Sequence, residues 1–253
     1  SDLNKKTKIL CTFGWRMALA GAETRLIMRC CHDMAKAMHV INPEFTLTRS
    51  FFLVRCCDGN SHYAERIAKI KSLGINMNSV TRLNFIANDV ISGEITDLDL
   101  IYHKIRAVRP AHYNKNMLIP IEAFAAAAFA YCNGGSPTVC LAALIGGFML
   151  MFFKFWLLKK GFFETFVFMA CAFLGCATTY IMCTYVLNAS AEETRLAIMA
   201  TTLLLVPGFP YMNGFLDIFK GYLEIGVMRL VYSIILTACA ASGLLGALYL
   251  MWI

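Results

Sequence analysis

Charge is scarce in this chain, and proline scarcer. Only 15% of the 253 residues are Asp, Glu, Lys or Arg, while 58% are hydrophobic. A soluble globular domain carries about 25% charged and about 45–50% apolar residues, so a wholly soluble protein is excluded. The P-loop, the dinucleotide fingerprint and the Ser/His/Asp elbow are all missing. ATP-driven transport and hydrolase chemistry therefore have no support in this chain. The net charge is +7, but no long basic run or Gly-rich RNA-binding signature accompanies it. The basic excess instead fits placement on the cytoplasmic side of a membrane. No apolar h-region follows the polar opening from Ser1 to Lys8, so no signal peptide is expected. Eleven cysteines, odd in number and scattered over both halves, fit a reducing cytosol better than a disulfide framework.

The charge that exists is unevenly placed. Of the 23 Lys and Arg, 17 precede residue 117, together with 10 of the 16 Asp and Glu. This predicts a cytoplasmic α/β domain over 1–116 and an all-α membrane domain over 117–253. In the first part, Lys5 to His39 reads as helical with an interruption at Gly21-Ala22. Phe45–Thr48, Phe51–Val54 and Ser61–Ile70 read as a small antiparallel sheet, with a hairpin signal at Asp58-Gly59-Asn60. Two helices follow, one capped by Asn78 or Ser79 and one opened by Thr96-Asp-Leu-Asp99. In the second part, about five transmembrane helices are expected, over 117–131, 139–158, 162–187, 194–219 and 225–253, each near the roughly 20 residues that cross the hydrocarbon. Lys159, Lys160 and Lys220 fall in alternate loops, and the other loops are uncharged or acidic. The positive-inside rule then places the N-terminal domain in the cytoplasm and the C-terminus outside. Five spans with no internal repeat are few for a complete transporter, which points to a second subunit or to dimerisation.

The fourth span is the informative one. Pro207, Gly208 and Pro210 interrupt it, and a proline inside a helix removes a backbone hydrogen bond. Freed backbone groups in lipid need protein or a water-filled cavity as partner, and broken helices bearing polar groups are where many transporters bind substrate. A helix restarting near Tyr211 would offer N–H donors to an anion; the plainer reading is a kink. Asp217, with Asn213 one turn before it, is the first candidate for substrate or proton binding. It would otherwise be an interfacial partner of Lys220. Arg229 either neutralises a substrate carboxylate or Asp217, or snorkels to the interface. Glu122 faces the pathway or sits at the interface near Lys115. Glu23 and Thr24 are a gating or interaction point, or a helix cap after Gly21. Asn133, in Asn133-Gly-Gly, reads more as a tight turn than a gate, and Glu192 and Glu193 read as a solvated loop. Cys30-Cys31-His32 with Cys56, Cys57 and His62 matches no standard zinc spacing, so neither metal nor other cofactor is expected.

Leu204–Pro210, followed by Asn213, Asp217, Gly221, Gly226 and Arg229, resembles the signature of the threonine/serine exporter (ThrE) family. Gly21-Ala-Glu-Thr24, Gly74-Ile-Asn76 and Asn133-Gly-Gly135 support the likeness, which runs over nearly the whole chain. The resemblance implies an α/β cytoplasmic domain, about five membrane helices, and export of threonine/serine or of dicarboxylates such as succinate. It also implies a split form in a bacterial inner membrane, completed by a second small membrane subunit that supplies the C-terminal half. Many relatives carry a second acid a turn after the Gly-Ala-Glu, where this chain has Met28. The reading is therefore an exporter subunit working by alternating access. The competing class is a membrane-anchored sensor or scaffold with a ligand-binding cytosolic domain, and a membrane-embedded enzyme is weaker still.

Overall fold

The computed structural model describes residues 2–57, 59, 62–70, 74–110 and 114–251. The chain forms two compact units. The first combines residues 1–112 with 211–230, and the second combines 113–210 with 231–253. The expected division at residue 116 is linear, whereas the first unit takes in a segment nearly a hundred residues further on.

In the first unit, helix α1 (Asp2–Leu19) and helix α2 (Thr24–Ala37) are separated at Gly21-Ala22, as the sequence pattern predicts. Gly21 takes φ +80°, a conformation that a side chain would strain. Strands β1 (Ile41–Leu47), β2 (Phe51–Cys57) and β3 (Tyr63–Lys69) form one antiparallel sheet in that order. Asp58 and Asn60 of the expected hairpin lie outside the described residues; Gly59, with φ +81°, is inside them. Phe52, Val54 and Cys56 alternate inward on β2 and are fully buried, the period-two signature of a one-sided sheet. Helix α1 lies close over that face, because a Cβ on Gly14 would fall 2.1 Å from the Phe52 ring. Helices α3 (Met77–Ile91) and α4 (Leu98–Ala107) complete the layer. Their caps are Asn76, whose side chain accepts from the Ser79 N–H, and Asp97, which accepts from the Asp99 N–H. The expected caps at Asn78 or Ser79 and at Thr96 are off by one to three positions.

The second unit is helical. Helices α5 (Lys115–Cys132), α6 (Pro137–Lys159), α7 (Glu164–Ile181) and α8 (Ala191–Thr202) pack through small residues. Ala126, Ala130, Ala142, Ala143, Ala197 and Ala200 share one buried cluster. Small side chains let helices approach where lipid supplies no hydrophobic drive. A π-helical turn, Met182–Val186, continues α7. Helix α9 (Gly208–Phe219) and helix α10 (Leu223–Leu250) follow the break. Among the described residues three helices are long and apolar enough to cross a membrane: α6, α7 with its π turn, and α10. Ala191–Leu205 with Gly208–Phe219 makes a fourth if that bent pair is one span. The first expected span, 117–131, falls in α5, which carries Lys115, Asn116 and Glu122 among its 18 residues and does not reach that level.

Candidate functional site

The break is where the sequence places it. Helix α8 runs into a short 3-10 turn that ends at Leu205, Val206 is extended, and α9 starts at Gly208. The restart precedes the expected Tyr211 by three residues. Pro210 fits there because the first-turn N–H groups of a helix have no intrahelical partner to lose. The same chemistry weakens the idea of an anion held by this helix end. Pro207 and Pro210 have no N–H, and the Gly208 N–H is given to the Val206 carbonyl at 2.8 Å.

Helix α9 is inverted relative to a water-soluble helix. Its buried residues are Asn213, Gly214 and Asp217, while Met212, Phe215 and Phe219 are exposed. Its end is a Schellman motif. The Tyr222 N–H donates to the Asp217 carbonyl at 2.8 Å, and the Gly221 N–H to the Ile218 carbonyl at 3.0 Å. Gly221 holds the left-handed position, φ +89°. The chain then turns back so that α10 lies directly on α9. A Cβ on Gly226 would come within 2.8 Å of the Gly214 carbonyl, and one on Gly214 within 2.8 Å of the Leu230 side chain.

This close hairpin sets Arg229 against Asp217. The Arg229 Nη1 donates to Asp217 Oδ2 at 2.8 Å, with the carboxylate fully buried and the guanidinium side chain 5% exposed. Both members also reach the segment between α1 and α2. The Thr24 N–H, at the start of α2, donates to Asp217 Oδ1 at 3.3 Å. Arg229 Nη2 contacts the Ala22 carbonyl at 3.5 Å, and the Asn213 side-chain amide donates to the Gly21 carbonyl at 3.3 Å. A carboxylate at a helix N-terminus meets both free donors and the positive end of the helix dipole. Lys220 does not pair with Asp217; its ammonium is bonded to Glu23. Glu23 occupies the N-cap position of α2 without capping it through its side chain. The expected cap is thus supplied by Asp217, from a distant part of the chain.

The sequence model of the family described as "Putative threonine/serine exporter" (ThrE) matches residues 8–251. The chain belongs to this family. It is 27% identical to the Klebsiella aerogenes protein named "Probable succinate transporter subunit YjjP", over 92% of this chain and 88% of that one. It is 25% identical to the Escherichia coli K12 protein of the same name, over 96% and 93% of the two chains. No solved structure matches.

Several landmarks of the ThrE likeness meet in the first unit. Gly21 sits so close to Gly74 that a Cβ on it would fall 2.5 Å from the Gly74 carbonyl, and the Asn76 N–H donates to the Ala20 carbonyl at 2.9 Å. The Gly-Ala-Glu-Thr and Gly-Ile-Asn motifs of this ThrE chain therefore brace one another, and the first of them receives Asn213, Asp217 and Arg229. Pro207, Gly208, Pro210, Glu122 and Asn133 belong to the second unit. Glu122 is half-buried on α5, with Lys154 of α6 as an electrostatic neighbour. Asn133 caps the end of α5 by donating its side-chain amide to the Phe129 carbonyl at 2.8 Å, the tight turn the sequence predicts. Glu193 is not a solvated loop residue. It forms a capping box with Ser190 and accepts from the Ser136 hydroxyl at 2.6 Å. In the candidate metal set, burial pushes the Cys30, Cys31 and Cys56 thiols upward, and among the described residues no metal-holding group of three is gathered.

Proposed function

We propose that this chain is one subunit of a secondary exporter of small carboxylates in a bacterial inner membrane, completed by a second membrane subunit and working by alternating access. The observation that carries the reading is the buried Asp217–Arg229 pair, set on an inverted helix just after a proline break. A buried ion pair is weak evidence for stability, because replacing both members by apolar groups is often neutral. A guanidinium held ready by a displaceable carboxylate is, however, a means of receiving a substrate carboxylate. Protonation of Asp217 removes the Arg229 partner and frees the fork for an incoming carboxylate, so proton and substrate load together. The names of the two relatives favour a dicarboxylate cargo, and the family description favours threonine or serine; the same guanidinium serves either.

The length of α10 bears on depth. It has 28 residues, about eight more than the roughly 20 that cross the hydrocarbon. Residues 223–230 pack in the first unit, and the twenty from 231 to 250 remain for the membrane. On this reading Asp217 and Arg229 lie at the cytoplasmic end of the path, not at its midplane, and α5, with 18 residues, joins the bundle.

The test is counterflow of labelled succinate and threonine in proteoliposomes holding this chain with its partner subunit. Asp217→Asn and Arg229→Gln each remove a charge-assisted contact of about 1.5–3 kcal/mol, so transport should fall about 10- to 100-fold. Arg55→Gln, on the exposed sheet face, should leave transport unchanged. Wild-type flux of either substrate that survives Asp217→Asn intact overturns the assignment. Absence of flux in the wild type favours the sensor class instead.

A further inference from the structure

A cleft of about 560 Å³ opens in the first unit where the end of α1, the start of α3 and the residues after α4 meet. Its lining is mostly apolar and includes Trp15, Leu19, Leu83 and Val108. Small-molecule sites have this size and this make-up, a few placed polar groups in an apolar hollow. Among the described residues three buried side-chain polar atoms lack a hydrogen-bond partner. Two of them, Arg16 Nε and Ser79 Oγ, belong to residues that line this cleft. A buried polar atom without a partner is costly and rare in a folded protein. Two at one cleft point to a partner from outside the chain.

The guanidinium is already fixed in place. Among the described residues Arg16 makes its hydrogen bonds through Nη1, to the Ile105 carbonyl at 3.0 Å and the Val108 carbonyl at 2.6 Å. The edge formed by Nε and Nη2 is left, and such a fork takes a carboxylate through two parallel hydrogen bonds. The described lining residues include no Asp or Glu, and burial together with the charge of Arg106 holds Arg16 below its usual range. One cation in an otherwise apolar lining suits a ligand with a single negative charge and an apolar body. The Trp15 indole N–H donates to the Lys69 carbonyl at 2.9 Å, which holds the ring in place as an apolar surface. We propose that this cleft binds a small amphipathic monocarboxylate, its carboxylate on Arg16 and Ser79 and its apolar body against Trp15 and Leu19. The site is distinct from Asp217 and Arg229 but borders the segment they rest on. Gly74 and Asn76 line it, and their N–H groups donate to the Leu19 and Ala20 carbonyls, just before the Gly21–Thr24 stretch that receives Asn213, Asp217 and Arg229. A bound ligand therefore steadies that stretch. The proposal depends on neither the transport reading nor the cargo.

The experiment is thermal unfolding and amide hydrogen exchange of the full chain in detergent. The probes are phenylacetate and hexanoate, compared with phenylacetamide, succinate and inorganic phosphate. A ligand of the folded state raises the midpoint, so both probes should do so and should slow exchange over residues 74–83. Phenylacetamide should do neither. Arg16→Gln should raise the half-saturating concentration of phenylacetate about 10- to 100-fold, and Ser79→Ala about 2- to 10-fold. Because Arg16 also holds two backbone carbonyls, Ile75→Glu serves as a second variant. Ile75 lines the cleft and is 56% exposed, so the fold tolerates a charge there while the new carboxylate repels the ligand and abolishes the shift. Arg55→Gln should keep the shift whole. If neither probe moves the midpoint, the proposal fails. An equal shift from phenylacetamide overturns the role of the carboxylate. A shift that survives Ile75→Glu, or one without protection over 74–83, overturns the site. A shift from succinate or inorganic phosphate as large as that from phenylacetate overturns the amphipathic class of ligand.

Discussion

The Thr179–Thr201 contact in the second unit and the Asp217–Arg229 pair in the first are both buried, yet they are held by different means. The two threonine hydroxyls lie 3.1 Å apart. Each is also satisfied within its own helix, Thr179 by the Gly175 carbonyl and Thr201 by the Ala197 carbonyl. A neutral hydroxyl thus needs only the turn it sits on. The carboxylate and guanidinium draw on α9, α10, the start of α2 and the segment before it. Charge demands convergence from distant sequence, and that makes it both more fragile and more useful. Glycine serves both clusters: Gly146 leaves room for the Thr179 hydroxyl, and Gly226 for the Gly214 carbonyl.

The largest expected effect tests the charged cluster. Asp217→Ala should cost about 3–5 kcal/mol, because it strands a buried guanidinium, while Asp217→Met/Arg229→Met should recover most of that loss. Denaturant unfolding in detergent measures both, and transport by the double variant should stay absent. A double variant as unstable as the single would make the pair structural. Next comes the glycine contrast. Gly226→Ala should cost about 1–3 kcal/mol, since its new Cβ meets backbone that cannot turn aside. Gly146→Ala should cost less, because a hydroxyl stands in its way and can rotate; equal costs would erase the distinction. Glu193→Ala, which removes one half of the capping box and the Ser136 contact, should lower the unfolding midpoint by less than Gly146→Ala does. The smallest effect belongs to Thr179→Val, about 0.6 kcal/mol, the average for hydrogen bonds between membrane helices.

Much of the layout was legible from residue chemistry. The interruption at Gly21, the three strands and the break at Pro207 each follow from a residue that forbids or favours a local conformation. Boundaries were less so, because a cap is decided by which side chain reaches a free N–H; Asn76 reaches the Ser79 N–H from three residues back. The span expected over 117–131 is a helix, α5, whose Lys115, Asn116 and Glu122 lower its apolarity without breaking it. At the site, Asp217 and Asn213 share a face at helical spacing, as expected. Arg229 was one of the expected partners of Asp217, whereas the Thr24 N–H, the Gly21 carbonyl and the Glu23–Lys220 pair did not follow from local pattern. Lys220 stands three residues after Asp217, the spacing of a surface pair, yet the helix has ended by Phe219 and Gly221 turns the chain away. Glu23 and Lys220 are 197 positions apart, beyond any periodicity.

The discontinuity of the first unit has a consequence for how the chain is made. Residues 211–230 belong to it, yet 98 residues, 113–210, are synthesised in between. At about 5–20 residues per second the ribosome needs roughly 5–20 s to cross that gap. During that interval the Gly21 and Ala22 carbonyls and the Thr24 amide await side chains not yet polymerised. The buried Ile225, part of the same core, is also still to come. The N-terminal unit therefore finishes only after most of the membrane helices have emerged, which delays its closure until insertion is well advanced. A fragment ending at residue 112 should be an unfinished body that exposes this edge to chaperones.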